Sequence, residues 1–243
     1  MTPPVFLVDA LPAGAETVLA GAEGHHAAAV RRLRPGEPVR LSDGAGGLAE
    51  CTVTRVGPDR LTLAVHGRSR LDPPRPRFVV VQALAKGDRG ELAVAQLTEL
   101  GADEVVPWSA SRSVVVWRAE RGAKALARWR ATAREAAKQS RRAWLPTVAE
   151  PHGTAEVAAR IAAAGGGLVL DSDAVATLGS APLPAVSDLV LVVGPEGGIT
   201  EDELAACTAA GAHPVRLGPA VLRTSTAGAA ALAVLSVRTG RWS

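Results

Sequence analysis

The run Leu189-Val190-Leu191-Val192-Val193 has no polar residue on either face of an extended strand. Such a strand is stable only when both faces are covered, which points to the interior of a largely parallel sheet flanked by helices. Residues 78–84 (FVVVQAL) are nearly as apolar. Around these two runs, strand-like stretches at 104–108, 168–170 and 213–217 alternate with helical patterns at 90–100, 120–143, 201–210 and 224–237. Gly101 and Gly211 follow two of those helices, where a left-handed residue is favoured. The alternation predicts an α/β domain with a mostly parallel sheet. The Ala/Gly tract at 162–167 reads as a helix end and turn.

The first 70 residues follow another rule. Short strand candidates at 39–42, 49–56 and 60–66 are separated by turns at Arg34-Pro35-Gly36, Asp43-Gly44 and Gly57-Pro58-Asp59. A short helix is expected over 24–34, with Arg31, Arg32 and Arg34 at its end. Leu71-Asp72-Pro73-Pro74-Arg75-Pro76 favours an extended linker. The expected division is a β-rich domain over 1–72 and an α/β domain over 73–243.

A chain of 243 residues buries a core without cross-links, and Cys51 and Cys207 have no spacing for a disulfide framework or a zinc site. His25, His26, His66, His152 and His213 show no metal or catalytic-triad spacing, so no metal is expected. The longest near-apolar stretch, 227–235, is about half the ~20 residues a membrane span needs. No charged start precedes an apolar run as in a signal peptide. The expected compartment is the cytoplasm.

The net charge of +3 is unevenly spread, with ten basic and two acidic residues between 112 and 142. On a helix over 120–143, Leu126, Trp129, Ala133, Ala136, Ala137 and Ser140 share one arc. Arg121, Lys124, Arg128, Arg130, Arg134, Lys138, Arg141 and Arg142 occupy the rest. One reading of this ridge is a solvated face. The other is contact with a phosphate backbone, the sequence-independent part of nucleic-acid binding.

Two loops carry the chemistry. Gly194-Pro195-Glu196-Gly197-Gly198-Ile199-Thr200 follows the strongest strand and precedes a helix that Thr200 caps, with Glu203 completing a capping box. Ligands of open parallel sheets bind at the carboxyl ends of strands, and glycines permit close approach of backbone. The loop offers no lysine and carries Glu196, which disfavours phosphate. A ligand with hydroxyls and a positive centre suits it better. The second loop, Leu217-Gly218-Pro219-Ala220-Val221-Leu222-Arg223-Thr224-Ser225-Thr226-Ala227, also joins a strand to a helix that Thr224 or Ser225 is placed to cap. Arg223 at that helix start opposes the helix dipole, and gripping an anionic substrate is one reason to keep it there.

GPEGGIT and LGPAVLRTSTA at this spacing resemble the SPOUT (α/β-knot) methyltransferases. The match is to the bacterial family that methylates N(3) of a uridine in 16S ribosomal RNA. Further matching segments are His25-His26, Val30-Arg31-Arg32-Leu33-Arg34-Pro35-Gly36, Lys86-Gly87-Asp88-Arg89, Thr98-Glu99-Leu100-Gly101-Ala102, Arg112-Ser113 and Glu135-Ala136-Ala137-Lys138-Gln139-Ser140-Arg141-Arg142. The resemblance implies a PUA-like β-barrel joined to a trefoil-knotted domain that binds S-adenosylmethionine and forms a homodimer. Its implied cofactor shell is Leu170, Gly194, Pro195, Glu196, Gly197, Gly198, Ile199, Leu217, Gly218, Leu222 and Thr224. Arg223 and Glu196 are the catalytic candidates, the first for electrostatic stabilisation and the second as one possible proton acceptor, water being the other. Expected RNA contacts are Arg31, Arg32, Arg34, Lys86, Arg89, Arg112, Arg134, Lys138, Arg141 and Arg142. The implied partner is 16S ribosomal RNA in the small subunit or a late assembly intermediate. Many relatives read LRTETA where this chain has Ser225, and many have an Arg before the first aromatic where it has Pro4-Val5-Phe6. Alternatives are ribose 2′-O-methylation of rRNA or tRNA by the same superfamily, and a non-catalytic ribosome-assembly module.

Overall fold

The computed structural model describes residues 3–242. The chain divides into two compact units, Met1–Pro73 with Ala137–Leu145, and Pro74–Ala136 with Pro146–Ser243. The C-terminal end of the basic helix and the turn after it thus belong with the first unit, which the expected boundary after residue 72 did not include.

The first unit is a five-stranded sheet built from β1 (Val5–Leu7), β2 (Glu16–Leu19), β3 (Pro38–Ser42), β4 (Gly47–Gly57) and β5 (Arg60–Arg70), in the order β1-β3-β4-β5-β2. β1 pairs with β3 in parallel, and the other pairings are antiparallel. Two-residue alternation along β3, β4 and β5 buries Val39, Leu41, Ala49, Cys51, Val53, Leu61 and Leu63 around Phe6. Burial pushes the Cys51 thiol up to about 11. The sequence reading lacked β1 and β2, which are three and four residues long and become strands only through their partners. The helix expected over 24–34 is a short α1 (Gly21–His25) followed by a π-helical turn, His26–Val30. Arg32 then takes a left-handed φ of 53°, which stops any further helix.

The second unit contains β6 (Arg77–Ala83), α2 (Arg89–Glu99), β7 (Glu104–Trp108), α3 (Ala119–Gln139) as far as Ala136, β8 (Thr147–Val148), α4 (Thr154–Ala164), β9 (Gly167–Leu170), β10 (Asp188–Val193), α5 (Glu201–Ala209), β11 (Ala212–Val215) and α6 (Thr224–Arg238). Its sheet runs β11-β9-β10-β6-β7-β8, and every pairing is parallel. The two apolar runs lie side by side at its centre, Val190 opposite Val79 and Val192 opposite Val81. Both faces are covered. Leu189, Leu191 and Val193 pack with Val94 and Leu97 of α2, Leu126 and Trp129 of α3, and Leu232 and Leu235 of α6. Val190 and Val192 pack with Val157 and Ile161 of α4 and Cys207 of α5. The parallel α/β expectation holds for this reason. Neither β8 nor α4 was read from the sequence beyond the end of α4.

The basic helix is shorter than expected and stops at Gln139 instead of residue 143. Arg141 adopts φ +57°, its N–H bonds the Lys138 carbonyl at 3.1 Å, and the Arg142 N–H bonds the Ala137 carbonyl at 2.9 Å. This is a Schellman ending with arginine where glycine is usual.

At the carboxyl edge of the sheet, the segment after β9 is fastened to the chain after β11. The Arg216 N–H donates to the Ala176 carbonyl, and the Leu178 N–H donates to the Arg216 carbonyl. The Arg238 guanidinium of α6 then donates to the carbonyls of Leu178 (2.6 Å) and Ala181 (2.7 Å). No described helix is long and apolar enough to cross a membrane.

Candidate functional site

A cleft of about 570 Å³ opens at the carboxyl ends of β9, β10 and β11. Three segments line it: 170–173 after β9, 194–199 after β10 and 215–224 around the loop from β11 to α6. All the expected cofactor-shell residues line it except Gly197, and Glu196 and Arg223 line it as well. Sheet topology explains the convergence, because β9 lies between β10 and β11, so their parallel ends emerge together.

The glycines of the first loop serve a purpose that sequence reasoning missed. A Cβ on Gly194 would lie 2.6 Å from Ile199 Cγ1. One on Gly197 would lie 3.0 Å from Arg112 Cβ and 3.1 Å from the Arg112 carbonyl oxygen. Both positions are closed to a side chain by the protein's own packing. Gly198 supplies the turn, with φ +76° and its N–H on the Pro195 carbonyl at 2.9 Å. Gly218 of the second loop differs, because nothing lies within 4 Å of a Cβ there.

The capping box at the start of α5 forms as expected. The Glu203 N–H donates to Thr200 Oγ1 at 3.3 Å, and the Thr200 N–H donates to Glu203 Oε2 at 3.0 Å. Glu203 is only 3% exposed, and its other oxygen accepts the Ser111 N–H at 2.7 Å and the Thr154 hydroxyl at 3.3 Å. Burial works to raise the carboxyl pKa, but the Thr200 and Ser111 donors outweigh it and hold Glu203 below the usual carboxylate range. Arg112, next to Ser111, donates from Nη1 to the Gly197 carbonyl at 3.3 Å.

At the second loop the expected cap changes identity. Arg223 is the N-cap of α6, and its carbonyl accepts the N–H groups of Thr226 and Ala227. Its side chain makes no capping bond and lies exposed along the cleft. The Thr224 hydroxyl donates instead to the Gly194 carbonyl, and Gln82 Nε2 approaches Thr224 Oγ1 at 3.4 Å. Ser225 is buried.

Asp171, Ser172, Asp173 and Arg216 also line the cleft and were not expected there. The strand-end rule, applied one residue past Leu170, would have found the first of them. The lining carries the carboxylates of Asp171, Asp173 and Glu196 and the guanidinium groups of Arg216 and Arg223. Among the described residues it contains no lysine. A nucleoside-sized ligand with hydroxyls and a positive centre fits this donor and acceptor set, and a polyphosphate does not.

The expected RNA contacts are dispersed. Arg31, Arg32 and Arg34 are exposed on the first unit, and Arg141 is exposed in the turn after α3. Arg134 is exposed on α3, while Arg142 is half-buried. Lys86 lies between β6 and α2, Arg89 is the first residue of α2, and neither lines the cleft. Lys138 is not on an exposed ridge. Its side chain is 10% exposed and pairs with Glu23 at 3.0 Å, because it falls at the edge of the helix face that packs. Other ridge cations are tied to carboxylates, Arg128 to Glu91 at 3.0 Å and Arg130 to Glu150 at 2.9 Å.

Comparison with known proteins accords with this geometry. A family model described as an RNA methyltransferase domain matches residues 73–236, and one described as an RNA methyltransferase PUA domain matches residues 19–65. The chain is 49% identical to the Ribosomal RNA small subunit methyltransferase E of Mycobacterium bovis, over 98% of this chain and 93% of that one. It is 32% identical to the protein of the same name from Bacillus subtilis, over 91% and 90% of the two chains. The crystal structure of a Ribosomal RNA small subunit methyltransferase E from Neisseria gonorrhoeae bound to S-adenosyl methionine matches with a TM-score of 0.85 and 28% identity, covering 98% of each chain. With its strand-end cleft, its parallel sheet and an N-terminal PUA domain, the chain belongs to the RNA methyltransferase family.

Proposed function

We propose that this protein methylates N(3) of a specific uridine in 16S ribosomal RNA, using S-adenosylmethionine, in the small subunit or a late assembly intermediate in the cytoplasm. The observation that carries the reading is the lysine-free, carboxylate-bearing cleft that has Arg223 on its lining. The 49% identity to a Ribosomal RNA small subunit methyltransferase E supports the choice of substrate.

S-adenosylmethionine, when bound, supplies an electrophilic methyl group. Leu170, Gly194, Pro195, Glu196, Gly198, Ile199, Leu217, Gly218, Leu222 and Thr224 would hold it, all of them on the cleft lining. Gly197 acts behind the lining, by letting Arg112 pack against the loop. N(3) of uracil carries a proton and is a poor nucleophile until that proton is removed. Glu196, on the cleft lining, or a water takes that proton in this scheme, since position 225 offers a buried serine and no carboxylate. Arg223 stabilises the negative charge that then develops on the uracil carbonyl oxygens. A stacked or paired uridine must leave its helix to reach the cleft, at a cost of a few kcal/mol. Arg31, Arg32, Arg34, Lys86, Arg89, Arg112, Arg134, Arg141 and Arg142 supply the grip that offsets this cost. The functional unit is a homodimer.

The test is methyl transfer to small ribosomal subunits that lack the modification, followed by mass spectrometry of the digested RNA. A methyl group on uracil N(3) is expected. A methyl group on a ribose hydroxyl would replace this reading with 2′-O-methylation. S-adenosylmethionine that fails to bind in calorimetry would point to a non-catalytic module.

A further inference from the structure

Glu203 has more partners than a helix cap needs. Oε2 completes the capping box with Thr200, whereas Oε1 leaves its own helix and accepts the Ser111 N–H and the Thr154 hydroxyl. The carboxylate therefore joins three elements: the start of α5, the start of α4 and the chain that leaves β7. Ser111 is followed by Arg112, whose Cβ and carbonyl fill the space that a side chain on Gly197 would need. Arg112 Nη1 also donates to the Gly197 carbonyl at 3.3 Å. A buried ionised group with several donors is held in one position, because moving any donor leaves charge unsatisfied in a poorly solvated place.

We infer that Glu203 is a positioning residue: through Ser111 it holds Arg112 against the Gly197 loop, so that the donor cleft and an RNA-contacting arginine form one rigid part. The inference rests on the RNA methyltransferase reading and deepens it. It assigns Glu203 to RNA binding through Arg112, although Glu203 itself is buried and touches no substrate. Thr200 gives the matched control, since it shares the capping box but has no bond to the 109–113 segment among the described residues.

The test compares wild type with Glu203→Ala, Glu203→Gln, Arg112→Ala and Thr200→Ala. Binding of small ribosomal subunits lacking the modification is measured by filter retention, and binding of S-adenosylmethionine by calorimetry; neither needs turnover. Glu203→Ala and Arg112→Ala are each expected to weaken RNA binding by about tenfold, the loss of one charge-assisted contact, with the donor Kd nearly unchanged. The double variant should be no weaker than the singles, because both remove the same contact. Glu203→Gln keeps an acceptor for Ser111 and should recover most of the loss. Thr200→Ala should lower Tm and leave RNA binding alone. If Glu203→Ala does not fold, Glu203→Asp, whose shorter side chain withdraws from the Ser111 N–H, takes its place in the cycle with Arg112→Ala, and additive losses overturn the inference. Unchanged RNA binding in Glu203→Ala, or equal losses in Thr200→Ala, also overturns it. Wild-type protein that binds the donor but no RNA overturns the RNA reading and this inference with it.

Discussion

The Thr224 hydroxyl donates to the carbonyl of Gly194 and ties the first turn of α6 to the end of β10. The two residues come from different candidate loops, and both line the cleft. Thr224→Val keeps the shape but leaves the Gly194 carbonyl without this donor. The expected stability loss is about 1–3 kcal/mol, with weaker S-adenosylmethionine binding. Denaturant titration and calorimetry check the two parts separately.

Two glycine substitutions should separate folding from binding. Gly194→Ala forces a methyl group against Ile199 at 2.6 Å and should cost about 1–3 kcal/mol. Gly218→Val enters open space on the cleft lining, so Tm should hold while donor affinity falls. A Tm loss in Gly218→Val as large as that in Gly194→Ala would contradict this division.

Glu203 makes stability depend on pH. Its native pKa is depressed, so it binds fewer protons folded than unfolded near the carboxylate range. Its contribution is full above the unfolded value of about 4.3 and is lost as pH falls through the lower native value. Urea midpoints measured across that window should fall less steeply in Glu203→Gln than in wild type.

Arg241 clamps the chain's end. It pairs with Asp103 at 2.7 Å, donates to the carbonyls of Gly101 and Pro76, and stacks 4.2 Å from the Phe78 ring centre. Arg241→Ala removes the cation from a nearly buried carboxylate and should cost about 3–5 kcal/mol. Arg241→Lys should recover only part of this, because lysine lacks the planar fork. Thermal unfolding reads both.

Charge reversal along the basic helix should divide by burial. Arg134→Glu and Arg141→Glu are expected to weaken binding to small-subunit RNA and to flatten its salt dependence. Lys138→Glu would instead face Glu23 in a mostly buried site and lower Tm. Arg141→Gly should stabilise the helix end by about 1 kcal/mol, because glycine tolerates the left-handed φ, while RNA binding is still expected to weaken on the proposed reading.

Local pattern determined much of this protein. Five consecutive apolar residues at 189–193 demanded cover on both faces, and the parallel sheet with helices on each side follows from that demand. Thr200 and Glu203 announced a capping box by spacing alone, since the box is made within four residues. The 194–200 loop could be placed near a ligand because ligands of parallel sheets bind at strand ends, whereas Leu217–Leu222 was placed there by the family resemblance. Tertiary structure decided what depends on distant partners. The glycine at 197 answers to Arg112, 85 positions away in sequence, and Oε1 of Glu203 answers to Ser111, 92 positions away. Lys138 leaves the ridge because Glu23 lies against it, and no helical wheel contains that neighbour. The three-residue strand β1 exists only as the partner of β3. Such contacts are chosen by packing after the chain has folded back on itself, whereas periodicity and capping act between residues that are already neighbours.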